Sequence, residues 1–164
     1  LEGKGYLNKK TGEYVTPADG FTVIATANTK GKGSDDGRFI GTNVLNEAFL
    51  ERFPVTFEQE YPPVSVEKKI LGGVASQYNV TDVKFLDKLV DWGDIIRKTF
   101  YDGGIDEIIS TRRLVHIVRA FSIFKDKSKA LQVCINRFDD ETKQAFLELY
   151  DKVDAEFELP NKES

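Results

Sequence analysis

Two adjacent prolines, Pro62 and Pro63, divide the chain into halves of different hydrophobic period. Proline has no amide donor and fixes its own φ, so neither a central strand nor a helix interior runs through the pair. Before the prolines, short β-branched runs alternate with glycine-containing turns. After them, apolar residues recur at intervals of three and four, the period of a helix packed on one face.

In the first half, Gly5–Asn8, a turn at Lys9–Gly12 and Glu13–Val15 read as a hairpin. Pro17–Gly20 is a second turn. Phe21–Ala27 is almost continuously apolar and β-branched, as in a strand covered on both faces. The strand is expected to end at Asn28-Thr29. Lys30–Thr42 holds four glycines and reads as a loop. Asn43–Phe53 carries Val44, Leu45, Ala48 and Phe49 on one stripe, with Asn43 as the N-cap. Val55–Tyr61 alternates as a strand.

The second half predicts helices over 64–78, 83–101, 110–124 and 128–138, and a last one capped by Asp139. Ser65 is the capping candidate of the first, with Lys68 where a capping box wants Glu. The second carries Phe85, Leu86, Leu89, Val90, Ile95, Ile96 and Phe100, and Gly93 weakens its middle. The third places Leu114, Ile117, Val118 and Phe121 on one face, and the last does so with Phe146, Leu149, Tyr150 and Val153. The aromatic residues fall on these stripes and on the strands, so they read as core. The expected organisation is a strand-rich α/β piece over residues 1–62, a helical subdomain over 63–159 and a tail at 160–164.

Charge narrows the function classes. With 23 basic and 27 acidic residues the net charge is −4, which argues against wholesale binding of nucleic acid. The one cysteine, Cys134, excludes a disulfide within the chain and a zinc knuckle, and in its apolar run reads as a small buried hydrophobe. A reducing compartment, the cytoplasm, fits it. No apolar stretch approaches the ~18 residues of a membrane span, and no signal peptide is evident. The chain has no methionine and opens on Leu1-Glu2-Gly3, as a piece of a longer protein would.

The strand ending Ala27-Asn28-Thr29, the loop glycines Gly31, Gly33, Gly37 and Gly41, then Thr42, Asn46 and the helix end Leu50-Glu51-Arg52-Phe53 together resemble a specific group. The pattern is similar to the MoxR-like branch of the AAA+ ATPases, and within it to the cobaltochelatase ATPase-subunit (CobS) type, which includes phage CobS-like forms. Ile109-Ser110-Thr111-Arg112-Arg113-Leu114 is similar to the sensor-2 motif of that branch. The resemblance covers residues 2–125. It implies a partial P-loop NTPase sheet followed by a helical lid, and a full-length protein that binds ATP and Mg²⁺. It also implies a ring of copies, hexameric when full length, that remodels a partner protein or drives chelatase subunits.

No G-x-x-x-x-G-K-S/T occurs in the sequence. Gly3-Lys4-Gly5 and Gly31-Lys32-Gly33 have glycine where Ser or Thr should follow the lysine. Asp106-Glu107 follows no apolar run of the kind that carries the acidic magnesium-binding pair. The resemblance places both elements upstream of Leu1, so this chain alone is expected to bind ATP weakly or not at all and to be inactive.

Several residues carry candidate roles. Asn28, at the C-terminal edge of a buried strand, sits where open α/β sheets place ligand contacts, and a carboxamide there orients water; the resemblance makes it sensor 1. Otherwise it is a turn-capping Asn. Arg52 closes a helix, where a cation suits the dipole; the resemblance makes it an arginine finger acting in trans, with Arg38 of the glycine-rich loop as the competing finger. Relatives often have Asp where this chain has Glu51. Arg112 lies in the first turn of its helix, the wrong end for a cation unless an anion docks there. The resemblance makes it sensor 2, beside Arg113, although Thr111 stands where relatives often have Pro. His116, the one histidine, has no metal cluster beside it in the sequence and reads as structural. The Gly31–Gly41 loop reads either as a surface loop or as a contact to neighbouring subunits or substrate.

Two other classes stay open from the residues alone. One is a non-catalytic interaction or assembly module. The other is a helical DNA-binding domain presenting Arg112, Arg113, His116 and Arg119, against which the acidic balance speaks.

Overall fold

The computed structural model describes residues 4–27 and 46–157, and the chain divides into two compact units at Gln59/Glu60. The sensor-1 strand end at Asn28, the glycine-rich loop and the helix start at Asn43 lie outside the described residues.

In the first unit, β1 (Tyr6–Leu7) and β2 (Tyr14–Val15) pair antiparallel, with Tyr6 opposite Val15 and Leu7 opposite Tyr14. Gly12 closes the connection at φ +73°, a left-handed conformation that favours glycine, and its amide donates to the Asn8 carbonyl at 2.8 Å. The hairpin is thus as the sequence predicts. The sheet expected beyond it is not formed among the described residues. Phe21–Ala27 and Val55–Tyr61 carry no strand, and Phe21, Ile24, Val55 and Phe57 are exposed. A strand satisfies its N–H and C=O groups only through a neighbour, and among the described residues β1 and β2 pair only with each other. The helix expected over 43–53 is, where described, one turn: α1 (Glu47–Leu50). Its N-cap is Asn46, whose side chain accepts from the Ala48 amide at 2.8 Å.

The second unit is a bundle of α2 (Val64–Gln77), α3 (Val83–Tyr101), α4 (Thr111–Phe124), α5 (Lys127–Ile135) and α6 (Asp140–Val153). Four of the five begin on a side-chain cap, where an otherwise orphaned amide gains an acceptor worth about 1 kcal/mol. Asp82 accepts from Phe85 N, Ser110 from Arg113 N, Asp126 from Lys129 N and Asp139 from Thr142 N. The exception is α2. Pro63 precedes it without a side-chain cap, and Ser65, the expected cap, lies inside the first turn. Proline's fixed φ and missing donor suit that entry.

The 19-residue α3 is central: it packs against α2, α4 and α6, while α4 also packs on α2 and α5. Phe85, Leu89, Val90, Ile96, Leu114, Ile117, Leu131, Ile135 and Phe146 are fully buried or nearly so, each contributing about 1.5–3 kcal/mol by leaving water. Two positions of α3 differ from the sequence stripe. Ile95 is exposed, and Trp92 is fully buried with its indole N–H donating to the Phe146 carbonyl at 2.8 Å. Trp92, Tyr150, Phe146, Phe138 and Phe157 stack edge to face along the α3–α6 seam. In this unit most aromatics are core, as expected; Tyr6, Tyr14 and Phe57 of the first unit are exposed.

Gly93 has a use that helix propensity hides. A Cβ there would meet Leu114 Cδ1 at 3.1 Å, so glycine permits the close approach of α3 to α4. Gly93→Val is expected to lower stability by about 1–3 kcal/mol through overpacking. A urea titration followed by helical circular dichroism reads this as a lower midpoint; an unchanged midpoint would show that the seam has slack.

Candidate functional site at the start of α4

Three helices are tied together where α4 begins. Glu67 of α2 is fully buried and Arg97 of α3 nearly so. The Arg97 guanidinium grips the carboxylate with both terminal nitrogens, Nη2 to Oε2 at 2.5 Å and Nη1 to Oε1 at 3.1 Å. Thr111, the first residue of α4, donates its hydroxyl to Glu67 Oε1 at 2.6 Å. Arg97 Nη1 also donates to the Ile109 carbonyl at 3.4 Å, and its guanidinium lies over the Tyr61 ring at 4.8 Å. Burial raises the Tyr61 pKa, with Arg97 pulling the other way. A buried charge pair holds when its geometry is bidentate and its remaining lone pairs are satisfied. Both conditions are met here, and the chain on either side of Ser110 is pinned.

From that pinned turn, Arg112 projects exposed and Arg113 half-buried. They line a small open recess with Ile108, Ser110, His116 and Arg137, the last from the turn between α5 and α6. Among the described residues no carboxylate lies within ion-pair distance of Arg112, Arg113 or Arg137. Burial, then the charges of Arg113, Arg119 and Arg112, hold the His116 pKa below the ordinary histidine value. Arg119 is turned aside, its guanidinium over the Tyr78 ring at 5.4 Å. The recess is therefore cationic and suited to an anion.

Of the sequence-predicted site residues, the structure brings Arg112 and Arg113 together, with His116 beside them. Arg52 belongs to the other unit, in the turn after α1, where Nη1 donates to the Ala48 carbonyl. Asn28 and Arg38 lie outside the described residues. Cys134 is buried, and burial pushes its thiol pKa up. Among the described residues no group of three or more His, Cys, Asp or Glu could hold a metal ion, and no helix is long and apolar enough to cross a membrane.

Glu67, Arg97 and Arg137 were not singled out by sequence. A signal existed for the first pair. Glu67, Leu71 and Ala75 recur every fourth residue on the buried face of α2, and Arg97 is flanked by buried Ile96 and Phe100. A carboxylate and a guanidinium on the inner faces of successive helices need each other. Arg137, in a turn, carried no such signal.

The helical unit with its cationic α4 start defines a lid-type domain of the MoxR-like AAA+ class. Residues 67–153, more than half of the chain, match the family described as CbbQ/NirQ/NorQ C-terminal, and the chain belongs to that family. It is 26% identical over 149 residues to the aerobic cobaltochelatase subunit CobS of Sinorhizobium sp., covering 90% of this chain and 45% of that protein. It is 29% identical over 139 residues to an uncharacterized protein of Staphylococcus saprophyticus, covering 84% of this chain and 48% of the relative. A Staphylococcus epidermidis protein, also uncharacterized, is 26% identical over 138 residues, with 84% and 48% covered. The chain thus spans about half the length of these curated relatives. No solved structure matches it significantly.

Proposed function

We propose that this chain is the sensor and lid portion of an oligomeric, ATP-hydrolysing AAA+ motor. The observation that carries the reading is the unpaired cationic turn of α4, set by a buried three-helix network within a domain of the CbbQ/NirQ/NorQ C-terminal family. In this reading Arg112 is sensor 2 and Arg113 its neighbour, both facing nucleotide phosphate, while Asn28 is sensor 1. Arg52 is the finger offered to the next subunit, with Arg38 as the alternative. ATP fits the cationic residues present. For Mg²⁺, no group of three or more His, Cys, Asp or Glu stands ready among the described residues.

The motor works as a ring of copies and remodels a partner protein. The likeness to a cobaltochelatase subunit makes metal chelation a specific version of that task. In the full-length protein, Arg112→Ala is expected to weaken ATP binding about tenfold, the worth of one charge-assisted hydrogen-bonding partner. Fluorescent-nucleotide titration measures it. Unchanged affinity and turnover would remove sensor 2 from Arg112. The upstream reading frame gives an independent check, because a frame lacking G-x-x-x-x-G-K-S/T would sink the motor reading.

A further inference from the structure

Arg137 has no part in the sensor-2 motif, yet it lines the same recess as Arg112, Arg113 and His116. Its guanidinium rests on the Phe138 ring at 4.6 Å, which holds it at the turn between α5 and α6. Three arginines and a histidine from two separate segments thus line one hollow of about 120 Å³. That is well below the ~300 Å³ at which pockets for whole drug-sized ligands begin, so the space suits a compact group. Gathered cations without a carboxylate repel one another, and a multiply charged anion relieves that repulsion. Guanidinium forks match phosphate oxygens in geometry as well as charge.

We propose that this recess is a phosphate-binding site in which Arg137 and His116 join Arg112 and Arg113 around a polyphosphate chain. The inference rests on the nucleotide-sensing reading of α4 and adds a cation from outside its helix. Arg112, Arg113 and Arg119 share the helix of His116. From α5 comes Cys134, whose thiol feels Arg113, and Tyr78, just after α2, lies under Arg119. The charged group of α3 that approaches the α4 start, Arg97, is already neutralised by Glu67. A phosphate in the recess reverses the field at the imidazole and favours its protonated form. Binding therefore takes up a proton, and affinity rises as pH falls from the liganded toward the unliganded histidine midpoint.

His116 is the one histidine of the chain, so its ring protons are a single clean magnetic-resonance signal. In the 164-residue chain, tripolyphosphate at millimolar concentration is expected to move its titration midpoint upward by about one pH unit. Chloride at matched ionic strength leaves the midpoint in place. Arg137→Gln reduces tripolyphosphate affinity about tenfold and shrinks the shift, whereas Arg137→Lys retains most of both. Helical circular dichroism confirms that each variant is folded, as a change at an exposed turn allows.

Equal responses to ATP and tripolyphosphate support the site with the polyphosphate chain as what is read. A response to ATP alone supports it with nucleotide as the source. No response beyond chloride, or an Arg137→Gln chain that binds normally, overturns it. If Arg112→Ala abolishes binding while Arg137→Gln is silent, this inference fails and the sensor reading stands; the opposite pattern does the reverse.

Discussion

Glu67→Ala is expected to cost the helical unit about 3–5 kcal/mol, a large share of the ~5–15 kcal/mol that holds a domain together. The loss has little to do with the bridge's own attraction. It comes from leaving the nearly buried Arg97 guanidinium without a counter-charge, and the Thr111 hydroxyl without its acceptor. Glu67→Gln keeps an acceptor for Thr111 and removes the charge, so it should fall between alanine and the unmodified chain. Replacing both partners, Glu67→Leu with Arg97→Met, should recover most of the loss, since neither side is then stranded. Urea titration by circular dichroism of the unmodified chain, Glu67→Leu, Arg97→Met and the pair measures the cycle. Additive losses would mean that the two residues act separately and that α4 is anchored by something else.

The second large effect concerns Arg52. Under the ring reading, Arg52→Ala in the full-length protein is expected to lower ATP hydrolysis by about 10³–10⁵, the usual worth of a finger that stabilises transferred phosphoryl charge. Subunits carrying the change should also poison mixtures with unmodified subunits, because the finger serves the neighbour's site. Unchanged turnover in the mixture would rule out action in trans. Arg38→Ala, made in parallel, decides between the two candidates. In this structure Arg52 folds back on the Ala48 carbonyl at the end of α1, a cation capping a helix C-terminus. Under the ring reading, serving a phosphate requires this hydrogen bond to be exchanged for one to a phosphate oxygen.

Legibility followed locality. The bounds of α3 and the cap at Asp139 were readable because period, cap and turn are encoded within a few residues. The hairpin was readable for the same reason, through Gly12. Phe21–Ala27 has the composition of a strand, but a strand is a property of two segments, and composition does not supply the second. Ile95 left its expected place because an apolar stripe wider than one face leaves its edge to be chosen by the neighbours, here α2, α4 and α6. At the site, Arg112 was legible as a cation at the wrong helix end. Glu67 and Arg97 were hidden by their charge, since periodicity is scored on apolar residues and theirs are inner-face positions held by a pair. Arg137 reaches the recess only through the packing of α5 on α4.

The buried indole of Trp92 has a practical consequence. It is the lone tryptophan of the chain, enclosed by Phe146 and Tyr150 and hydrogen-bonded to a helix carbonyl. Tryptophan emission shifts to longer wavelength as the ring meets water, so the optical signal of this protein belongs to a single joint between α3 and α6. The first unit contains no tryptophan and is silent at that wavelength. A ligand-induced shift of this emission therefore reports a change felt at the α3–α6 joint, a built-in gauge of whether an event at the cationic edge is transmitted across the bundle.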